Sequence, residues 1–364
     1  MLTILHTEAS PGWGGQEIRI LSEAAAFAKR GFRVLIVCQP GSRLGLEAQR
    51  RGLSVRAISM AKAFDAWACW RLRRLMRMEA VDLVHTHSSV DAWVAGFAAK
   101  SLHLPVVRGR HVSIPVKRRR NFVYNALCDR IISSGEAIRQ VLITGGVDPE
   151  KIVAIPAGVD VTQFHPAVSG AAVRQEFELH GPVIGTVAMF RHSKGHRILL
   201  QAIPEILERE PKAEFLWVGD GIGRAAVQQE VAEAGLAAKV RLIGFREDIP
   251  ACMAAMDMVV LPSTKSDGVP QVVIQALAMR KPVVASAIGG VPEVIQHQRT
   301  GLLVSPNDPQ ALADAVMQVL RDPQSAAEWA QAGGQLIDTH YTLERMIDRT
   351  AAVYTAVLVE KGLV

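Results

Sequence analysis

The stretch SDGVPQVVIQALAMRKPVVASAIGGVPEVI, residues 266–295, holds the pattern that decides the fold. A loop leads through Pro270 into a helical segment, the apolar strand KPVVAS returns, and Gly289-Gly290 precede a second predicted helix start. In parallel α/β sheets built from such units, the carboxyl ends of neighbouring strands lie at one edge. The stretch therefore predicts two helix N-termini close together, an arrangement that favours anions.

The same alternation of short strands and longer helices runs through the chain and restarts once, near residue 165. Seven runs before that point predict strands: TILHT, RVLIVC, LSVRAI, DLVHTH, PVVRGR, RIISS and KIVAIP. Five follow it: PVIGTVAMF, EFLWVGD, KVRLIGF, DMVVLPS and KPVVAS. The pattern predicts an α/β protein with two Rossmann-like, doubly wound parallel-sheet domains that face a cleft. We expect the first domain over residues 1–165, the second over 166–341, and a C-terminal helix over 342–364 that crosses back onto the first.

Composition narrows the class of protein. Apolar residues make up 49% of the chain and aromatic residues only 5%, a balance typical of helices packed on a parallel sheet. The four cysteines show no C-x-x-C spacing, which indicates reduced thiols in a cytoplasmic protein. No window approaches the roughly 18 to 20 apolar residues of a membrane span. The net charge of +6 favours an anionic partner, and composition leaves nucleotide phosphate, lipid and nucleic acid open.

A glycine loop, SPGWGGQE, follows the first predicted strand. Gly12, Gly14 and Gly15 let the backbone approach a ligand closely, and the following helix N-terminus offers N–H groups to a phosphate or carboxylate. A tight turn without a ligand is the alternative. A nicotinamide dinucleotide site is disfavoured, because the spacing is not G-x-G-x-x-G and the second strand ends in Gln39-Pro40 rather than an acid.

The run TVAMFRHSKGH places two cations, Arg191 and Lys194, just past a strand of the second domain. Fixed cations at such a strand end can neutralise a diphosphate, although a solvated loop also carries such charges. In the stretch 266–295, Gln271 and Gln275 lie on one helix face at i, i+4. Together these features predict an anion-seeking pocket that fits a nucleoside diphosphate.

At this point the sequence resembles the retaining glycosyltransferases of the GT-B fold, in the large group called family 4. Five motifs carry the resemblance in the right order: SPGWGGQE, IPAGVDVTQF, R-x-x-K-G from Arg191, VGDG from Val218, and GGVPE from Gly289. The resemblance covers nearly the whole chain. It implies transfer of a sugar from a nucleotide-diphosphate sugar to an acceptor hydroxyl.

The resemblance also implies roles for individual residues. Those that act directly in transfer are Arg191, Lys194, His111 and Asp267. Those that contact the donor are Gly14, Gly15, Gly219, Asp220, Gly268, Val269, Pro270, Gln271, Gln275, Gly289, Gly290 and Glu293. The sequence departs from the family at two of these positions, because Asp267 and Gln275 replace the two glutamates of the E-x7-E element. A neutral amide can still hydrogen-bond a ribose diol, so we expect donor binding to survive and donor preference to change.

Histidines mark the expected acceptor side. His85 and His87 stand at a strand's carboxyl end near Asp91, and His111 resembles the family's acceptor-side histidine. An ordinary hydrogen-bonded loop histidine is the alternative for His111. The H-x-H spacing at His85 and His87 suggests no third zinc ligand, so no metal site is predicted.

A basic, aromatic surface is predicted over residues 67–78, with KRRR at 117–120 adding charge. Trp67, Trp70, Leu75 and Met78 alternate there with Arg71, Arg73, Arg74 and Arg77. Such a surface suits anionic lipid, and a solvated helix face fits equally well. No helix-turn-helix, zinc or stacking pattern supports a nucleic-acid partner.

The leading hypothesis is therefore a glycosyltransferase of bacterial cell-surface polysaccharide or lipopolysaccharide biosynthesis, with a glycan or lipid-linked acceptor. We expect no cofactor beyond the nucleotide sugar and a cytoplasmic location, at the inner membrane face if the basic surface contacts lipid. The alternatives are a non-catalytic nucleotide-sugar-binding protein of this fold and a sugar-nucleotide epimerase, for which the sequence offers no pair of cleft carboxylates.

Overall fold

The computed structural model describes residues 1–116, 121–266 and 268–364. The chain divides into two compact units, one formed by 1–157 with 343–364 and the other by 158–342. The position predicted for the domain boundary, after residue 165, lies inside the second unit. The linking segment belongs there because the backbone N–H of Val159 donates to the carbonyl of Tyr341 at 2.9 Å.

The first unit contains a seven-stranded parallel sheet in the order β3-β2-β1-β4-β5-β6-β7. Its strands are β1 Thr3–Glu8, β2 Arg33–Cys38, β3 Ser54–Ala57, β4 Leu83–Thr86, β5 Val106–Arg110, β6 Arg130–Ser133 and β7 Ile152–Ala154. Its helices are α1 Gly15–Lys29, α2 Arg43–Arg50, α3 Ala66–Met78, α4 Ser89–Lys100, α5 Phe122–Asn125, α6 Glu136–Thr144 and α14 Leu343–Glu360. All seven strands predicted here are confirmed.

Apolar spacing explains how the helices cover this sheet. In α1, Ile20, Leu21, Ala24 and Phe27 recur at helical spacing and are buried against one sheet face. The C-terminal helix α14 packs on the same face, where Tyr354 stacks on Phe27 at 5.1 Å. The predicted return of the chain to the first domain is thereby confirmed. Helices α3, α4 and α6 bury the other face.

The second unit contains a six-stranded parallel sheet in the order β10-β9-β8-β11-β12-β13. Its strands are β8 Val183–Val187, β9 Glu214–Val218, β10 Val240–Gly244, β11 Met258–Leu261, β12 Val283–Ser286 and β13 Leu302–Val304. Its helices are α7 Ala171–Glu176, α8 His196–Arg209, α9 Arg224–Glu233, α10 Ile249–Ala255, α11 Gln271–Ala278, α12 Pro309–Arg321 and α13 Pro323–His340. The five strands predicted here are confirmed, and the three-residue β13 is an additional one.

The strand order places one crossover point in each unit. Neighbouring connections leave in opposite directions between β1 and β4, and again between β8 and β11. Sheets of this kind bind ligands outside the carboxyl ends of the strands at such points. In the described part of the chain, no helix combines the length and apolar character that a bilayer crossing needs.

Candidate active site

The loop after β8 holds the two predicted cations of the second unit. Arg191 is exposed at the start of a 3-10 turn, His192–Lys194, which leads through Gly195 into α8. Gly195 has a φ of +74°, and a Cβ there would lie 1.7 Å from the carbonyl oxygen of Pro262. Only glycine fits this close approach, so the glycine of R-x-x-K-G fixes the position of the turn that carries Arg191 and Lys194.

The VGDG loop after β9 is hydrogen-bonded to the cation-bearing loop. The N–H of Phe190 donates to the carbonyl of Asp220 at 3.0 Å, and the N–H of Gly223 donates to the carbonyl of Phe190 at 3.0 Å. A Cβ on Gly219 would lie 2.0 Å from the carbonyl oxygen of Ala188. The backbones of the two loops are therefore in direct contact.

The loop before α11 joins the same group. The N–H of Thr264 donates to the carbonyl of Ser193 at 2.9 Å, which ties this loop to the cation-bearing turn. Gly268 and Val269 are buried, and Pro270 immediately precedes the helix. Asp267 lies outside the described residues.

Gln271 and Gln275 are half-buried on the first turns of α11. Helix α11 follows directly on the loop that carries Gly268, and that loop is tied to the turn after Arg191 by the Thr264 hydrogen bond. Their predicted contacts with a donor stay predictions.

The glycine pair after β12 completes the set of loops. Gly289 has a φ of +59°, and a Cβ on Gly290 would lie 2.6 Å from the backbone nitrogen of Val269. The second helix start predicted here is wrong, because the chain forms only a 3-10 turn, Val291–Glu293. Val294 and Ile295 then enter the core, and the turn that follows is closed by a hydrogen bond of 2.8 Å from the N–H of Gln296 to Thr300 Oγ1.

Four adjacent strand ends, those of β9, β8, β11 and β12, therefore bring their loops together. They collect the predicted residues Arg191, Lys194, Gly219, Asp220, Gly268, Val269, Pro270, Gln271, Gln275, Gly289, Gly290 and Glu293. This region, the donor-side loops, combines cations, glycine-backed turns and the N-termini of α8 and α11. Such a combination can bind an anion with several charged oxygens.

The first unit carries the remaining predicted residues. Gly14 precedes α1 and Gly15 is its first residue. Glu8 organises this loop, because its carboxylate accepts a hydrogen bond of 2.7 Å from the N–H of Ser10 and another from the side-chain amide of Gln16. Burial, together with the nearby Asp91 carboxylate, raises the pKa of Glu8.

Asp91 is fully buried at the start of α4. Its carboxylate accepts hydrogen bonds from Thr7 Oγ1 at 2.8 Å, from the N–H of His87 at 2.8 Å, and from the N–H and hydroxyl of Ser88 at 2.8 and 2.6 Å. This is a capping box, which stabilises a helix N-terminus. The structure thus gives Asp91 a structural function, and its predicted acceptor contact stays untested.

Four histidines form a continuous group at the carboxyl edge of the first sheet. His6 Nδ1 lies 3.0 Å from His87 Nε2, and His87 Nδ1 lies 3.2 Å from His111 Nε2. His85 Nδ1 lies 2.6 Å from the Tyr354 hydroxyl. The structure therefore brings the three predicted histidines together and adds His6, which the sequence reasoning missed.

The strand β5 makes room for these rings with a glycine. A Cβ on Gly109 would lie 2.8 Å from His111 Nε2 and 3.0 Å from His87 Nδ1. Burial lowers the pKa of His6 to about 3 and holds the pKa of His85, His87 and His111 well below the usual value. All four imidazoles are therefore neutral at pH 7, and these rings can donate or accept hydrogen bonds without carrying charge.

The histidine group also contains residues that could hold a metal. His6, His85 and His87 each bring a ring nitrogen, and Glu23 of α1 brings a carboxylate oxygen, within 4.8 Å of one another. The sequence spacing of His85 and His87 gave no sign of further ligands. The structure supplies them from β1 and α1.

Two family models match the chain. Glycosyl transferases group 1 matches residues 181–322, and Glycosyltransferase Family 4 matches residues 13–163. Together the matches cover most of the chain, which also has two Rossmann-like units. The chain is a glycosyltransferase of the GT-B type. Its predicted family resemblance and enzymatic class are thereby confirmed.

Three known proteins show how far the similarity extends. The chain is 31% identical to 2-deoxystreptamine glucosyltransferase of Streptomyces kanamyceticus over 60% of the chain, and it spans only about half, 54%, of that relative. It is 24% identical to the UDP-Gal:alpha-D-GlcNAc-diphosphoundecaprenol alpha-1,3-galactosyltransferase of Escherichia coli, over 99% of this chain and 98% of that one. The crystal structure of Anabaena Alr3699/HepE in complex with UDP and glucose has a TM-score of 0.88 at 22% identity, covering 98% of this chain and 100% of that one. At this identity, the last likeness shows the fold alone.

Proposed function

We propose that this glycosyltransferase moves a sugar from a nucleotide-diphosphate sugar to a hydroxyl of a glycan or lipid-linked acceptor, with retention at the anomeric carbon. The observation that carries the proposal is the meeting of four loops around Arg191 and Lys194 at adjacent strand ends. The E. coli relative is named for transfer from UDP-Gal, and the Anabaena structure holds UDP and glucose. A UDP-sugar is therefore the first donor class to test.

The chemistry of the bond that breaks explains why cations are needed. When the anomeric carbon separates from the diphosphate, negative charge grows on the leaving oxygen and positive charge grows on the sugar ring. Cations fixed before the reaction stabilise that separation more than they stabilise the intact donor. Arg191 can bind two diphosphate oxygens at once, and Lys194 supplies a point charge beside it. We propose that they take the role that a divalent cation has elsewhere, so that transfer needs no added metal.

With retention of configuration, the acceptor hydroxyl can lose its proton without a protein base. The acceptor oxygen bonds to the anomeric carbon on the face that the diphosphate leaves, and the acceptor proton passes to the departing diphosphate oxygen. A neutral His111, held by His87 at 3.2 Å, can hydrogen-bond the transferred sugar during this step. Its neutrality avoids a fixed positive charge next to the developing oxocarbenium ion.

The acceptor proposal rests on the E. coli relative and on a surface of the first unit. That relative is named for an acceptor attached to diphosphoundecaprenol, a membrane lipid carrier. We infer a lipid-linked acceptor in bacterial cell-surface polysaccharide or lipopolysaccharide biosynthesis, reached from the inner face of the cytoplasmic membrane.

The surface in question, here called the aromatic surface, consists of exposed rings on and beside α3. Trp67 and Trp70 stack at 4.8 Å, and the Arg74 guanidinium lies 5.9 Å from the Trp70 ring. Phe64 is 72% exposed and packs on Trp93 at 5.2 Å. Exposed aromatic rings bordered by arginines suit the interface of an anionic membrane. The KRRR segment, residues 117–120, lies outside the described residues.

Vesicle binding tests the membrane part of the proposal. We expect the protein to co-sediment with vesicles containing phosphatidylglycerol and not with pure phosphatidylcholine vesicles. The double variant Trp67→Ser with Trp70→Ser should lose most of this binding and keep its thermal stability. Phe245→Ser removes a comparably exposed ring from the second unit and should bind as the wild type does. Equal binding by all three proteins would contradict a membrane function for the aromatic surface.

Transfer itself is tested with purified protein, UDP-, GDP-, ADP- and dTDP-sugars, and a short-chain lipid diphosphate sugar as acceptor. Mass spectrometry of the product identifies the sugar, and the anomeric proton coupling in NMR gives its configuration. We expect one donor class to react in the presence of EDTA, with retention. An inverted product would contradict the mechanism, and a requirement for Mg²⁺ would contradict the proposed role of the cations.

A further inference from the structure

The proposed sugar transfer does not require all the residues of the histidine group in the first unit. His6 lies opposite His85 in the parallel register of β1 and β4, and His87 follows two residues later on the same sheet face. Helix α1 covers that face and directs Glu23 into the group. All four side chains are buried, with at most 3% exposure.

Three polar atoms of this group have no hydrogen-bond partner among the described residues. They are His6 Nε2, His85 Nε2 and Glu23 Oε2. An unsatisfied buried donor or acceptor costs about 1 to 3 kcal/mol. Such atoms normally bond to water, protein or an ion, and three of them in one place point to a site that a ligand can fill.

We propose that His6, His85, His87 and Glu23 form a binding site for one transition-metal ion of the zinc class. One ligand atom from each residue lies within 4.8 Å of the other three. Tetrahedral zinc with ligands at about 2.1 Å places them about 3.4 Å apart, so side-chain movements of the order of 1 Å would close the site. Three imidazoles and one carboxylate are ligands that zinc accepts, whereas Mg²⁺ and Ca²⁺ prefer oxygen.

The surroundings of these side chains are those of metal ligands. Metal-binding histidines usually use one ring nitrogen for the metal and the other for a hydrogen bond that fixes the ring. His85 Nδ1 has the Tyr354 hydroxyl at 2.6 Å, and His87 Nδ1 has His111 at 3.2 Å. The second carboxylate oxygen of Glu23 accepts a hydrogen bond of 2.8 Å from Arg19 Nε.

The charges of the group also permit a metal. In its neutral form each imidazole offers one ring nitrogen lone pair to a metal. Glu23 supplies a negative charge once it is ionised, and its other carboxylate oxygen is ion-paired with Arg19. The competing arrangement is a metal-free chain of neutral rings joined by the 3.0 Å contact between His6 and His87.

A metal here would be structural. Its ligands come from β1, α1 and β4, so it would join segments far apart in sequence, and it belongs to a different unit from the donor-side loops. The metal proposal uses none of the donor-side loops, and it touches the proposed sugar transfer only where His87 contacts His111. The expectation that no metal takes part in the reaction is unaffected.

The experiment uses tag-free full-length protein, stripped of metal and then reconstituted with Zn²⁺ or Co²⁺. Mass-spectrometric metal analysis should find about one zinc per chain, and the cobalt form should show the intense visible absorption of a four-coordinate ion. A chain that retains essentially no zinc after reconstitution would overturn the proposal. A cobalt spectrum of the hydrated ion alone would do so as well.

Variants locate the site. His6→Asn and Glu23→Gln should each weaken zinc binding by more than about 10-fold, whereas His180→Asn, at an exposed position of the second unit, should not change it. Circular dichroism establishes that each variant is folded. The proposed site would be contradicted if the His180 variant lost zinc binding to the same extent. It would also be contradicted if both the His6 and the Glu23 variants retained zinc binding.

Discussion

The two units order their strands in the same way but carry opposite chemistry at the carboxyl edge. The first unit presents buried, neutral imidazoles and the capped carboxylate of Asp91. The second presents exposed Arg191 on turns that glycine makes possible. The same strand order therefore places neutral, hydrogen-bonding rings at the edge of one sheet and an exposed cation at the edge of the other. The difference matches a reaction that joins a neutral hydroxyl to a donor with two phosphates.

The largest expected effect comes from removing a cation of the second unit. Arg191→Ala and Lys194→Ala should each reduce kcat at least about 100-fold, because each removes charge stabilisation that grows in the transition state. Steady-state kinetics with the preferred donor measures this loss. Arg321→Ala, an exposed arginine at the end of α12, is the control and should keep wild-type kinetics. Full activity in either cation variant would contradict the proposed role of these two cations in sugar transfer.

The next effect tests whether glycine positions those cations. Gly195→Ala should destabilise the protein by about 2 to 4 kcal/mol and disrupt donor binding, since its Cβ would lie 1.7 Å from a carbonyl oxygen. Gly235→Ala is a matched control, because Gly235 has a φ of +72° and nothing within 4 Å of the added Cβ. It should cost only about 1 kcal/mol of backbone strain. Urea unfolding measures both, and equal losses would show that the close approach does not matter.

A titration in the second unit gives a smaller effect. Burial, with a contribution from Lys194, lowers the pKa of His196 to about 4, and its ring stacks on Phe190 at 4.2 Å. The unfolded chain then binds more protons than the folded one between pH 6.5 and 4, so stability falls as the pH drops through that window. His196→Phe removes this term, and the free energy of unfolding should fall about 2 kcal/mol less between pH 7 and 5. Identical pH dependence in both proteins would contradict a neutral His196.

The smallest expected effect concerns the altered glutamate position. Gln275→Glu restores a charge that the family usually has, so activity should persist and the preference among nucleotide sugars should change by about 10-fold or less. Competition between UDP- and GDP-sugars measures this ratio. A complete loss of transfer would mean that Gln275 has a different function from ribose binding.

Local patterns were sufficient to predict most of the fold. Runs such as RVLIVC and DMVVLPS contain continuous apolar cores, VLIVC and MVVL, which are typical of strands buried on both faces. The run LLV of β13 is as short as β7, and it was not among the predicted strands. The second predicted helix start was wrong. GGVPE has the composition of a helix N-terminus, but the turn ends where Val294 and Ile295 are buried. That burial depends on tertiary packing.

The meeting of the donor-side loops could be predicted because their motifs are contiguous in sequence and follow predicted strands, while their contacts with a donor stay predictions. The histidine group could not, because it depends on the pairing of β1 with β4 and on which face α1 covers. The local signal was a histidine in each of two predicted strands, TILHT and DLVHTH, and only the strand register shows that His6 lies opposite His85. The capping function of Asp91 did have a local signal, because it is a carboxylate three residues after Ser88, whereas its predicted acceptor contact stays a prediction.

The central claim is that the donor-side loops bind a nucleotide-diphosphate sugar through Arg191. A thermal-shift titration with UDP-, GDP-, ADP- and dTDP-sugars, without added metal, tests it most directly. Specific binding at a hundred times Kd stabilises the folded protein by about 2.7 kcal/mol. We predict a selective shift for one base, lost in Arg191→Ala and kept in Arg321→Ala. No shift with any nucleotide sugar, or an unchanged shift in Arg191→Ala, would contradict the claim.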